Sequence, residues 1–278
     1  MLAAIRAVLP DNEPALWGTD YEVAGDRQLL KLLRQADKPP AAEAALTDLI
    51  AASDASWAEY DRRHAPEYIF SFAGDPALVR AVRDAWPDPD PQSDVILNTL
   101  EKTLAINQLW VRSEAWASND ARAALQRENF LRYWQAEKGR GEAPKVLAKY
   151  GASHMVRGLS QTAVYDLGSL LPEIAAIEGG HTVSLMVVPG AESMTAGLNP
   201  SIWRYEPRPA AGGYIDGIEP LMDAAFEDAF TLINLRALRH VAGMNRGDLD
   251  DEVFRVIHGF DFLLVMSGST PSADLAHD

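Results

Sequence analysis

The chain reads as an α/β protein with a largely parallel central sheet flanked by helices and a helical insertion in the N-terminal half. Three observations predict this. Beyond Pro144 the apolar runs shorten to strand length, helical patterns lie between those runs, and the segment before Pro144 is dominated by long helical stretches. Near-continuous apolar strands predict a sheet covered on both faces. With 278 residues, 47% of them hydrophobic and 23% charged, the chain can bury one substantial core. A single α/β domain over residues 1–278 is expected, with the helical insertion at about residues 40–140.

Met1 to Leu9 reads as the end of a helix stopped by Pro10, and Ala15 to Gly18 as an apolar strand. Asp26 can cap a helix whose apolar face is Leu29, Leu30, Leu32 and Leu33, ending near Lys38-Pro39-Pro40. A second helical region runs from Ala41 to Arg63, followed by Pro66 and the aromatic segment Tyr68 to Phe72. Asp75-Pro76 is an N-cap followed by proline at the first helical position. Trp86-Pro-Asp-Pro-Asp-Pro91 cannot continue a helix and reads as a linker. A long helical stretch covers Asp94 to Lys138, with Asn119-Asp120 expected to cap a new helix inside it, and Gly139 to Pro144 ends it.

Strands are expected at Lys145–Tyr150, Val183–Val188, Thr231–Leu235 and Phe262–Met266. Helices are expected at Leu167–Ile177, Ile218–Phe226 and Asp250–Ile257. Gly179-Gly180, Pro189-Gly190 and Gly212-Gly213 punctuate the connections as turns.

A formal charge of −15, from 25 Lys and Arg against 40 Asp and Glu, disfavours a nucleic-acid backbone or an anionic membrane as partner. No cysteine is present, so disulfides, thiolate metal sites and cysteine nucleophiles are excluded. No apolar run approaches the roughly 20 residues of a membrane span. The start Met-Leu-Ala-Ala-Ile-Arg lacks the apolar core of a signal peptide. As it stands the chain reads as cytoplasmic, any export signal being expected only in sequence upstream. The His-Glu-x-x-His zinc helix, the Gly-x-Ser-x-Gly nucleophile elbow, the calcium loop and the Gly-rich phosphate loops are all missing.

The candidate chemistry centres on His154, which ends the run Lys145-Val-Leu-Ala-Lys-Tyr-Gly-Ala-Ser-His154. An imidazole at the carboxyl edge of a sheet would stand where ligands bind in open α/β folds; the same histidine could instead simply hold a loop through one hydrogen bond. Upstream, Arg122 and Asn129 lie seven residues apart, two helical turns, so one helix face can present both to the same point. Arg122 also fits a structural salt bridge, and Asn129 a helix-surface amide. Asp20 and Glu22 alternate past an apolar stretch and point to opposite faces, so only one readily joins His154. Among the other histidines, His64, His181, His240 and His258 read as structural, with His64 and His258 at helix ends that favour a cation. Trp110, Trp116 and Trp134 read as packing residues or as the wall of an apolar cleft.

Arg-x6-Asn on a helix, a basic linker, and an apolar run ending Gly-x-x-His resemble the erythromycin esterase-like family, part of a wider group with the Tiki and ChaN-like proteins. Leu16-Trp-Gly-Thr-Asp-Tyr-Glu22 looks like the family's Gly-x-Asp-x-Glu strand. Asp166-Leu-Gly-Ser-Leu170 looks like the segment after its histidine, and Gly259 to Met266 like its last strand. Two departures stand out. Macrolide-inactivating members carry His-x-x-His where this chain has Gly151-Ala-Ser-His154, which puts macrolide hydrolysis in doubt. The family's opening Gly-Glu-x-x-His strand has no counterpart before Leu16, so the chain is expected to begin inside its domain, leaving a sheet edge near residues 15–18 that favours a homodimer.

The resemblance implies hydrolysis of an ester or related acyl bond of a small molecule. His154 would act as base or orienting group, Arg122 as electrostatic stabiliser, Asn129 as positioning donor, and Asp20 as the accompanying carboxylate. No cofactor is expected. Esterase-like members work without metal and Tiki-like relatives with it, and one histidine with one carboxylate leaves a divalent metal open. The alternative is a truncated or degenerate member that binds a ligand without turning it over. Haem or metal binding of the ChaN-like kind lacks paired axial ligands here.

Overall fold

The computed structural model describes residues 16–190, 192–199, 201–202, 204–210 and 217–271. The helix end expected at Met1–Leu9, the start of the strand expected at Ala15, and the turn at Gly212-Gly213 lie outside the described residues.

The first half is a stack of helices. α1 (Asp26–Gln35) and α2 (Pro40–Arg63) are followed by a 3₁₀ turn at Pro66–Tyr68 and the short α3 (Phe70–Ala73). α4 (Pro76–Ala85), α5 (Pro91–Val111) and α6 (Ala115–Lys138) complete it. α2 packs on α4, and α5 on α6. Leu33, Leu46, Leu49, Phe70, Val79, Leu97 and Leu100 close a core that excludes solvent, the outcome expected when apolar residues recur every three or four positions.

The capping chemistry is local. Asp75 accepts from the Ala77 amide, and Asp90 from the Gln92 and Ser93 amides, each with proline at the first helical position. α5 therefore starts at Pro91, directly out of the proline linker.

Two local expectations are corrected. Gly25, not Asp26, precedes α1; the Asp26 carboxylate turns inward to accept from Ser53 Oγ (2.5 Å) and Trp57 Nε1. Burial decides this, because a fully buried carboxylate must take donors from the core. Asn119-Asp120 caps nothing: α6 runs unbroken from Ala115, since the reversal at residues 112–114, with Ser113 at φ 63°, has already separated it from α5.

The second half contains α7 (Ala152–Met155), α8 (Leu167–Ile177), α9 (Glu219–Met222), α10 (Arg239–Met244) and α11 (Asp251–Gly259). Its strands are β1 (Leu185–Pro189), β2 (Met194–Asn199), β3 (Arg204–Pro209), β4 (Phe230–Asn234) and β5 (Phe262–Met266).

The large, mostly parallel central sheet is not found. Among the described residues there is a three-stranded sheet in the order β1-β5-β4, with β1 parallel and β4 antiparallel to β5. A separate antiparallel hairpin joins β2 and β3. Helix predominates, so the fold is mixed α/β at most. Two physical reasons account for the difference. The run Lys145–Tyr150 is apolar but finds no strand to pair with among the described residues, and Leu147 stands 96% exposed. Nor is the sheet covered on both faces. Met186, Val188, Leu263 and Val265 pack on Val253, Val256 and Ile257 of α11, while Leu185, Val187, Phe230 and Leu232 on the outer face are exposed. Among the described residues, no helix is long and apolar enough to cross a membrane.

Candidate functional site

The site is built from three pieces: residues 16–22, one face of α6, and the segment 150–167. Residues 16–19 are not a strand but extended chain laid along α6. The Trp17 ring meets Phe130 edge-on at 5.5 Å and stacks on Tyr133 at 5.6 Å. Asn129 Nδ2 donates to the Thr19 carbonyl at 3.0 Å. Arg122 grips Asp20 with two parallel bonds, Nε to Oδ1 at 2.9 Å and Nη2 to Oδ2 at 2.5 Å, while its guanidinium lies 4.7 Å over the Tyr21 ring. Arg122, Gln126, Asn129, Phe130 and Tyr133 share a helical face because they follow the three- and four-residue spacing of α6.

Glu22 turns the other way. Its carboxylate accepts from the Gly25 amide at 2.5 Å and from Ser71 Oγ at 3.3 Å, leaving Asp20 as the carboxylate that faces α6. Burial raises the Glu22 pKa despite these donors.

His154 lies on the single-turn helix α7 rather than at the end of a strand. Its Nδ1 bonds Asp166 Oδ2 at 2.6 Å, and Asp166 Oδ1 accepts from the Leu167 amide at 2.7 Å, capping α8. Asp166 is buried and His154 about one-fifth exposed. A carboxylate accepting from Nδ1–H selects the tautomer with a free lone pair on Nε2. Among the described residues that nitrogen has no partner. α7 and α8 can approach this closely because residue 168 is glycine: a Cβ there would overlap the Met155 and Val156 backbone.

The two groups meet through Tyr150. Its hydroxyl pairs with Thr19 Oγ1, and its ring stands edge-on to the His154 ring at 6.5 Å. The structure thus brings Asp20, Arg122 and Asn129 together and sets His154 behind Tyr150; His154 makes no hydrogen bond or ion pair to those three among the described residues.

The charges are tuned by burial and pairing. Burial raises the Asp20 pKa, but the Arg122 bonds, the nearby Gln126 amide, the Arg122 charge and the Tyr21 amide outweigh it and leave the value lowered. Burial disfavours the charged form of Arg122, yet the Asp20 bond and charge, aided by Tyr21 and Asp166, leave its pKa raised. The Tyr150 hydroxyl is pushed up by burial and by the charges of Asp20 and Asp166, against the Thr19 bond. Gln126 is fully buried, and neither end of its amide has a partner in bonding geometry, although it lies close enough to Asp20 to favour the carboxylate.

Asp166, Tyr150 and Gln126 are the residues that sequence reasoning missed. Asp166 carried a usable signal, an acidic residue immediately before an apolar helical run; nothing local marks its pairing with His154. At His258, placed at a helix end that favours a cation, burial and the Arg239 charge instead lower the pKa. Among the described residues, no group of three or more His, Asp or Glu side chains is placed to hold a metal ion. Comparison with protein-family models, curated proteins and solved structures finds no match.

Proposed function

We propose that the chain is a hydrolase of an ester or related acyl bond in a small organic molecule, in keeping with the erythromycin esterase-like motifs. The observation that carries this reading is the 2.6 Å bond between His154 and the buried Asp166, with Nε2 unpartnered among the described residues. A carboxylate behind Nδ1 orients the imidazole and stabilises the imidazolium formed when Nε2 takes a proton from water. That water attacks the acyl carbon, and His154 returns the proton to the leaving oxygen. The Tyr150 hydroxyl, beside His154, and Nη1 of Arg122, which has no partner among the described residues, are the donors that could meet the oxyanion. Asp20 and Asn129 position rather than react, one by holding Arg122 and the other by anchoring Thr19.

A panel of aryl and lactone esters, assayed with and without chelator, tests this. His154→Ala should lower kcat about 10²-fold or more, the scale of a lost general base, with little change in Tm. Turnover that survives His154→Ala would place the chemistry elsewhere.

One observation favours a second reading, a ligand-binding protein without turnover. Arg122 is already committed to Asp20, and a paired guanidinium offers less charge to an oxyanion. Ligand binding with no hydrolysis of any ester in the panel would favour it. The reading includes no nucleic-acid partner, in keeping with the acidic composition. It also includes self-association, supported by the apolar outer face of the sheet rather than by an edge at residues 15–18.

A further inference from the structure

We propose that Arg157, Arg236 and Arg239, gathered around Asp261 at the end of the sheet where β5 begins, bind the phosphoryl dianion of a small molecule at a site separate from His154. Three guanidiniums converge on one carboxylate. Arg157 holds Asp261 with two bonds, at 2.8 and 2.6 Å; Arg239 Nη2 reaches it at 3.1 Å and Arg236 Nε at 3.4 Å. Asp261 Oδ2 also accepts from the Ser184 amide at 2.9 Å, so the carboxylate has little acceptor capacity to spare.

Charge and geometry point the same way. Arginine does not deprotonate in proteins, so three cations against one anion leave a surplus of about two positive charges. That surplus stands out in a chain whose net charge is −15. A tie between segments would account for one arginine, or for three if each were fully paired. Arg236 is not: it is half exposed, makes no other polar contact among the described residues, and keeps both terminal nitrogens free while its guanidinium sits 4.9 Å over the Phe262 ring.

Arg239 is fixed through Nε on the Ile257 carbonyl and Nη2 on the Phe260 carbonyl, leaving Nη1 without a partner among the described residues. Thr182 Oγ1, 3.4 Å from Arg157 Nη2, adds a hydroxyl that can donate. Donors held in place before a ligand arrives lose little freedom on binding, and planar guanidinium forks match a phosphoryl group. A dianion matches the surplus charge.

Isothermal titration of the full chain with phenyl phosphate, inorganic phosphate and malonate at matched ionic strength tests the assignment. Both phosphates should bind, and Arg236→Gln, which removes the least anchored cation, should weaken them about tenfold or more. His154→Ala should leave their binding unchanged, which separates this site from the hydrolytic reading. No phosphate binding by the wild-type chain, or equal binding by Arg236→Gln, would overturn the proposal. Malonate bound as tightly as phenyl phosphate would overturn the phosphoryl assignment. Binding to phosphatidic acid vesicles without binding to the soluble phosphates would overturn a small-molecule ligand.

Discussion

Beside α6 one arginine, Arg122, meets one carboxylate, Asp20; at the start of β5 three arginines meet Asp261. Arg122 and Asp20 balance, and the pair pins residues 16–22 to α6. Arg157, Arg236 and Arg239 around Asp261 do not balance, and the surplus faces solvent through the half-exposed Arg236. The same contrast holds for the apolar parts. The helices bury a shared core, while the sheet buries one face and leaves the other open. The Arg122–Asp20 pair is balanced, whereas the Asp261 cluster and the outer face of the sheet both keep capacity to spare.

The strongest way to break the comparison is to remove each carboxylate. Asp261→Ala strips three cations of the one carboxylate they meet among the described residues and should cost about 3–5 kcal/mol, the scale for breaking a buried pair. Asp20→Ala acts on a pair whose side chains are each about one-third exposed, where solvent screens the charge, and should cost about 1 kcal/mol. Urea denaturation of both variants measures the difference; equal losses would show that the two clusters carry the same structural weight.

Acid sharpens it. Bonds from Arg157, opposed by burial and joined by the Ser184 amide, hold the Asp261 pKa far below the ordinary carboxylate range, and Asp20 is lowered as well. Because both folded pKa values are depressed, their stabilisation is fully present above the unfolded value of about 3.9 and is lost as pH falls through the folded ones. Asp261→Asn should therefore flatten the acid limb of a Tm-against-pH curve more than Asp20→Asn. An unchanged acid limb in Asp261→Asn would contradict the assignment.

The smallest effect is expected on the open sheet face. Leu232→Ser should change stability by no more than about 0.5 kcal/mol, because Leu232 is already exposed in the single chain. If that face joins two copies, sedimentation should shift toward monomer in this variant. A wild-type chain that sediments as a monomer at all concentrations would remove the face from consideration.

What the sequence by itself determined is local. Helix-period runs, the Asp75 and Asp90 caps and the proline linker are set by neighbouring residues, and α1, α2, α4, α8, α11 and β5 follow from them closely. The spacing that let one face of α6 present Arg122 and Asn129 together is of the same kind, because helix geometry converts sequence distance directly into direction. Only the tertiary structure decided what depends on partners distant in sequence. An apolar run becomes a strand only when another strand offers its backbone bonds, and Lys145–Tyr150 meets none among the described residues. Asp26 abandoned its cap for Ser53 and Trp57, and Asp166 reached His154, because a buried carboxylate takes its donors wherever packing places them. Arg236 and Arg239 lie three residues apart on one helical run, but their meeting with Arg157 on Asp261 spans some hundred residues of chain, and no local pattern marks that convergence.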